Sequence, residues 1–319
     1  MSEHANEDIL PLGAWRPEIH AALVDTITRF GITSPDYDPE RPPLALIDCD
    51  GGLMHHDLGE AMMRYLITRR HLNTDRGFWN VLIPDRMGRD ALSAAHKAVA
   101  GRSDAEVRDT AAFRRYRAGM FGVHESLRHS EDRTAACLFS ARLLRGLHER
   151  TVADLVEEVL DYELDRPLSS EDIPAGPPFS GISVPSGIRV YHEMLGLLQT
   201  LETYGFSTWL IGSANLYVMR ALARRIGFPE ERVLGLELQT QSGRYTERPV
   251  DLIPVGEDKL ELYLDAVGRS PVIALGASMS DFDILENCEG VSVVVDQGDD
   301  ELLAQAEQNG WFVQGALTV

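Results

Sequence analysis

Two carboxylates one residue apart, Asp48 and Asp50, close the apolar run Leu44-Ala45-Leu46-Ile47 and are followed at once by Gly51-Gly52. In a parallel α/β sheet reactive groups collect where strands end and the chain turns towards a helix. A short buried strand delivering Asp-x-Asp is therefore well placed for nucleophilic and acid/base chemistry. Residues i and i+2 of an extended segment leave the same face, which would aim both carboxylates into one space. Asp and Gly are also the ordinary residues of turns, and the motif alone reads equally well as an acidic turn.

Later apolar runs end in polar groups too. The run 208–212 leads into Ser213-Ala214-Asn215, where a starting helix would offer a hydroxyl and free backbone N–H groups to a phosphate. The commoner use of Ser at such a boundary is a helix cap. Lys259, after Gly256-Glu257-Asp258, opens a helix and would supply a local cation, although a lone Lys there is ordinarily solvated. The run 272–276 leads into Ala277-Ser278-Met279-Ser280-Asp281, which puts a carboxylate on the next loop or, again, a cap on a helix.

The elements that must position these groups are legible in the pattern. A chain of 319 residues with 44% hydrophobic content can bury a substantial core. Helical spacing predicts a helix over 17–30, with Pro17 in its first turn and Gly31 as its stop. A proline-rich extended segment, 33–43, leads into the strand that ends at Asp48. The stretch 57–168 carries only helical stripes, and the Pro/Gly/Ser-rich run 169–187 reads as a linker. From residue 188 helix and strand alternate: helices over 191–204, 215–226 and 259–267, and strands over 208–212, 272–275 and 291–295. A hairpin is expected within 233–246, turning at Ser242-Gly243.

This succession predicts an α/β fold, a doubly wound Rossmann-like parallel sheet core with an inserted helical cap. The expected division is an N-terminal extension with one helix (1–43), a core (44–57 and 186–319) and a cap (58–185).

The net charge of −20 argues against a nucleic-acid surface or an anionic membrane as partner. Cys49, Cys137 and Cys288 make neither a disulfide framework nor a zinc pattern, and the polar start lacks a signal sequence, so a soluble cytoplasmic protein is expected.

Taken in order, the four motifs resemble those of the haloacid dehalogenase superfamily, most nearly its phosphoserine-phosphatase-like and phosphocholine-phosphatase-like branches. Asp48-Cys49-Asp50-Gly51-Gly52 resembles the first motif, Ser213 the second, Lys259 the third and Gly276 to Asp281 the fourth. The stretches 57–61 and 243–246 are also similar to that branch. The resemblance implies a Mg²⁺-dependent phosphatase acting on a small phosphorylated metabolite through an aspartyl-phosphate. It makes Asp48 the nucleophile and Asp50 the acid and base. Ser213, Ala214 and Lys259 would hold the phosphate, and Asp48, Asp50 (through its carbonyl) and Asp281 the metal.

Two positions depart from the family's pattern: Gly52 stands where Thr is usual, and Ala277 stands where a metal-ligating Asp is usual. They keep two other readings open, an impaired relative that binds a phosphorylated ligand or a protein partner, and a metal-independent dehalogenase-type hydrolase. Within the insertion, Trp79, Arg114, Arg115, Tyr116, Arg117 and Phe121 are candidate substrate contacts, with core packing and solvated arginines the commoner use of such residues. His55 and His56 make a poor metal pair, and Asp57 reads as structural.

Overall fold

The computed structural model describes residues 9–75, 77–130 and 132–319, so the first eight residues of the expected N-terminal extension lie outside it. The chain forms two compact units, one of Met1–Asp57, Arg189–Leu236 and Leu252–Val319, the other of Leu58–Ile188 and Glu237–Asp251.

The first unit is built on six parallel strands: β1 (Leu44–Asp48), β2 (Ser207–Asn215), β3 (Val233–Leu236), β4 (Ile273–Gly276), β5 (Val291–Val295) and β6 (Phe312–Gln314). Their order is β6-β5-β4-β1-β2-β3. From β1 the chain builds outwards through β2 and β3, then crosses to β4 on the other side. The topological switch therefore lies at the end of β1, where crevices open in doubly wound sheets. All five residues of β1 and all five of β5 are buried, as expected of interior parallel strands covered on both faces. Leu46, Ile211, Ala274 and Val294 from four strands share one core cluster with Tyr263, Ile284, Leu285, Leu302 and Ala306 from the helices.

The helix Pro17–Phe30 forms as its spacing predicts, and Gly31 closes it with its N–H on the Ile27 carbonyl. The helix His192–Thr203 precedes β2, Leu216–Arg225 follows it, and Glu257–Val267 precedes β4. Elements unread in the sequence include the helix Asp300–Asn309, capped by the Asp299 side chain on Leu302 N–H, β6, and the short antiparallel pair Met54–His55 with Arg189–Val190.

The second unit holds the helices Leu58–Arg69, Phe78–Leu82, Arg89–Val99, Asp104–Val107, Ala111–Arg128, Ala135–Arg142 and Glu149–Asp165. The expected linker is instead largely an antiparallel ribbon, Ser169–Ile173 against Ile182–Ser186. The expected hairpin begins later than its pattern suggests. Val233–Leu236 joins the main sheet as β3, and Leu238–Gln241 pairs with Arg244–Pro249 across Ser242 and Gly243, whose φ angles are 53° and 72°. That hairpin is grouped with the helices, where Tyr245 N–H donates to the Leu147 carbonyl at 3.0 Å. A buried ion pair, Arg64 with Glu163 at 3.1 Å, ties Leu58–Arg69 to Glu149–Asp165. Among the described residues no helix is long and apolar enough to cross a membrane.

Candidate active site

Asp48 is the last residue of β1 and is 3% exposed. Beyond it the chain folds back sharply: Leu53 N–H donates to the Asp48 carbonyl at 2.8 Å, and Gly51 N–H to the Met54 carbonyl at 3.0 Å. Gly51 takes a φ of 84°, which favours glycine. At Gly52 the constraint is contact, since an added Cβ would lie 2.5 Å from the Asp48 carbonyl oxygen. The departure at this position is thus built into the turn, which leaves no room for a threonine. The Asp50 side chain lies over the neighbouring strand, so that a Cβ added at Gly212 would sit 3.4 Å from Asp50 Oδ2.

Lys259 has a fate the sequence did not suggest. In the first turn of Glu257–Val267 it is 1% exposed, and its Nζ donates to Asp48 Oδ1 at 2.6 Å and also to Asp281 Oδ1. One ammonium thus bridges two buried carboxylates at the ends of β1 and of the loop after β4. Burial works against the charge on Lys259, but Asp281 and Asp48 outweigh it and hold the ammonium above its ordinary value. The Asp48 carboxyl is driven up to about 7, first by burial and then by Asp281, with Lys259 opposing. Cys49 next to it is pushed well up by burial and by Asp50, which makes its thiol a poor nucleophile.

Asp281 is fully committed. While Oδ1 takes Lys259, Oδ2 accepts the N–H groups of Ala277 at 2.8 Å and Ser278 at 3.0 Å, curling the loop round its own carboxylate. Asp299 steadies the same loop, accepting Met279 N–H at 2.8 Å.

Ser213 and Ala214 occupy a different setting from the one expected. β2 runs on through Asn215, and it is Asn215 that caps the following helix, its side chain accepting Tyr217 N–H at 3.0 Å. Asp48 is in register with Ile211, so Ser213 sits two residues further along the adjacent strand, at the same edge of the sheet but in extended chain. No helix N-terminus at Ser213 is available to a phosphate.

The expected Mg²⁺ meets a poor donor set. Both oxygens of Asp281 and Oδ1 of Asp48 are taken, and position 277 offers a methyl group. Among the described residues no group of three or more His, Cys, Asp and Glu could hold a metal ion.

A network missed in the sequence closes the turn after β1. Gln297 Nε2 donates to the Gly51 carbonyl at 3.2 Å and to Tyr191 Oη at 3.0 Å, and Tyr191 Oη lies 3.3 Å from His55 Nδ1. Gln297 follows β5, and the rule that polar groups gather at strand ends would have found it. His55 is held below its ordinary value by burial and by His56. In the helical unit, Tyr116 and Phe121 are core residues, Trp79 lies against His96 at 5.4 Å, Arg114 donates to the Asp109 carbonyl, and Arg117 makes a two-pronged pair with Glu171.

No protein-family model and no curated protein matches the sequence. Solved structures do match. A conserved, functionally unknown protein from Anaerococcus prevotii is 19% identical with a TM-score of 0.84, covering 96% of this chain and 93% of its own. A protein of unknown function from Bordetella pertussis is 17% identical with a TM-score of 0.53, over 85% and 96%. A haloacid dehalogenase family hydrolase from Salmonella enterica serovar Typhi is 12% identical with a TM-score of 0.45, over 82% and 64%. At such identities the likeness is one of fold, here a parallel, doubly wound, Rossmann-type sheet.

Proposed function

We propose that this core is a hydrolase centre in which Asp48 attacks the phosphorus of a small phosphate ester. The observation that carries the reading is the Lys259 ammonium bridging Asp48 and Asp281 at the topological switch of the sheet. A buried carboxylate is an expensive feature unless a cation is fixed beside it, and the ends of the central strands are where doubly wound sheets hold their ligands.

In the first step an Asp48 oxygen forms a bond to phosphorus, the bond from phosphorus to the ester oxygen breaks, and Asp50 gives its proton to the departing alcohol. In the second step Asp50 takes a proton from water, whose oxygen attacks the same phosphorus. The acyl phosphate bond then breaks, releasing inorganic phosphate and restoring Asp48. Lys259 holds Asp48 in place and offsets its charge, while the Ser213 edge of β2 offers a hydroxyl to the ester's outer oxygens.

The test is phosphate release from a panel of small phosphomonoesters by the full chain and by Asp48→Asn. The reading expects release that falls by roughly a thousandfold or more in the variant, as loss of a nucleophile does. Release that survives the substitution would sink it. Ala277 and the closed turn at Gly52 favour a second reading, capture of a phosphorylated ligand without turnover, marked by saturable binding of inorganic phosphate in a chain that releases none.

A further inference from the structure

The geometry points to a centre that works without a divalent cation, with Lys259 as its resident positive charge, the carboxylates Asp48 and Asp281 committed within the protein, and no donor at position 277. The inference rests on the reading of Asp48 as the reacting carboxylate and adds to it what balances that charge.

Mg²⁺ needs six oxygens in a near-octahedral arrangement, commonly one or two carboxylates completed by water and substrate oxygens. Three separate commitments stand against such a set here. Asp281 spends one oxygen on Lys259 and the Ser280 hydroxyl and the other on two backbone N–H groups and the Ser278 hydroxyl, so turning it towards a metal would break these hydrogen bonds inside the protein. Asp48 spends Oδ1 on the same ammonium at 2.6 Å. Ala277 is buried at 3% exposure and packs against the turn after β1, where a Cβ added at Gly51 would approach the Ala277 Cβ to 2.9 Å. Residue 277 thus lies beside the turn and presents only a methyl group to it.

Charge leads to the same conclusion. A cation already lies in the first contact shell of Asp48, covalently part of the chain and nearly fully buried. A divalent ion bound to the same carboxylate would have to sit beside a fixed ammonium, a like-charge contact at low effective dielectric. Lys259 therefore offsets part of the charge of the two carboxylates and occupies the Asp48 oxygen turned towards it.

The test is equilibrium binding of Mn²⁺, followed by its electron paramagnetic resonance signal, to the full chain and to Ala277→Asp. Wild type should leave Mn²⁺ free at concentrations that saturate the variant. Ala277→Asp should bind roughly ten- to a hundredfold more tightly, and adding Asp48→Asn should remove the gain. Because the turn at Gly51 is close, Lys259→Met serves as a second variant. It removes the ammonium from Oδ1 of both carboxylates and should also raise Mn²⁺ affinity. Tight Mn²⁺ binding by wild type that Asp48→Asn abolishes would overturn the inference, as would folded variants of both kinds that gain no affinity. Phosphate release by wild type should be unchanged by EDTA. A chain that releases no phosphate under any condition refutes the hydrolase reading and leaves the Mn²⁺ result to stand by itself.

Discussion

Replacing Lys259 by Met removes the ammonium that bridges two buried carboxylates while keeping most of the side-chain volume. Breaking a buried pair by deleting one partner costs about 3–5 kcal/mol, because the remaining charge is left uncompensated in the interior. That is a large share of the roughly 5–15 kcal/mol by which a domain is stable. The protein has one escape, which is to take up a proton on the carboxylate cluster in place of the lost ammonium.

The sign of the pH dependence follows from that escape. Asp48 in the native wild type already titrates near 7, against an ordinary value of 3.8, so the folded chain holds a proton that the unfolded chain has released. Stability from this group therefore falls as pH rises between those values. In Lys259→Met the folded cluster carries about one proton more than wild type, and each pH unit then costs it about 1.4 kcal/mol beyond the wild-type loss. Urea unfolding of both chains at about pH 6, 7 and 8 reads the difference. The deficit should widen by about 2–3 kcal/mol from the lowest to the highest of these values. A deficit that stays constant across the series, or no deficit at all, would refute the view that Lys259 is a buried counter-charge.

Three further outcomes follow from the same geometry. If Asp48 reacts as a carboxylate, kcat/KM for a phosphate ester should rise with pH through about 7, and a profile flat across that region would contradict the raised Asp48 value. Gly52→Ala should lower stability by about 1–3 kcal/mol in urea, since its Cβ would press on the Asp48 carbonyl, and an unaffected midpoint would mean the turn has slack. Arg64→Met in the helical unit should cost about 3–5 kcal/mol by breaking its buried ion pair with Glu163, itself 0% exposed, again measured by urea unfolding.

Much of this could be read from the sequence because local signals agreed with the final environment. Leu44–Asp48 and Pro17–Phe30 sit where their patterns place them, since a run of consecutive apolar residues suits an interior parallel strand and a Pro-to-Gly bracket suits a helix. The helix start expected at Ser213 lies further on, because Ser and Asn cap helices equally well and only the pairing of β2 with β3 as far as Asn215 decides which residue does so. Lys259 lies in an acidic, polar stretch that looks solvated. Its burial depends on Asp48, 211 residues earlier, and no local pattern reports that distance. The fourth motif was found as a string of residues, but the inward turn of Asp281 onto its own loop is a matter of backbone curvature that the string does not contain.

The separation of Asp48 from Lys259 also sets an order on how the chain can be made. β1 is translated early, yet both its neighbours in the sheet, β2 and β4, lie beyond the helical unit in sequence. At about 5–20 residues per second, the 211 residues between Asp48 and Lys259 take roughly 10–40 s to emerge. Until β2 is made, Leu44-Ala45-Leu46-Ile47 is an apolar strand without its sheet neighbours, a state prone to pairing with other chains. The arrangement that gives Asp48 a central, buried strand therefore leaves that strand dependent on protection by the nascent chain or by chaperones until β2 and β4 arrive.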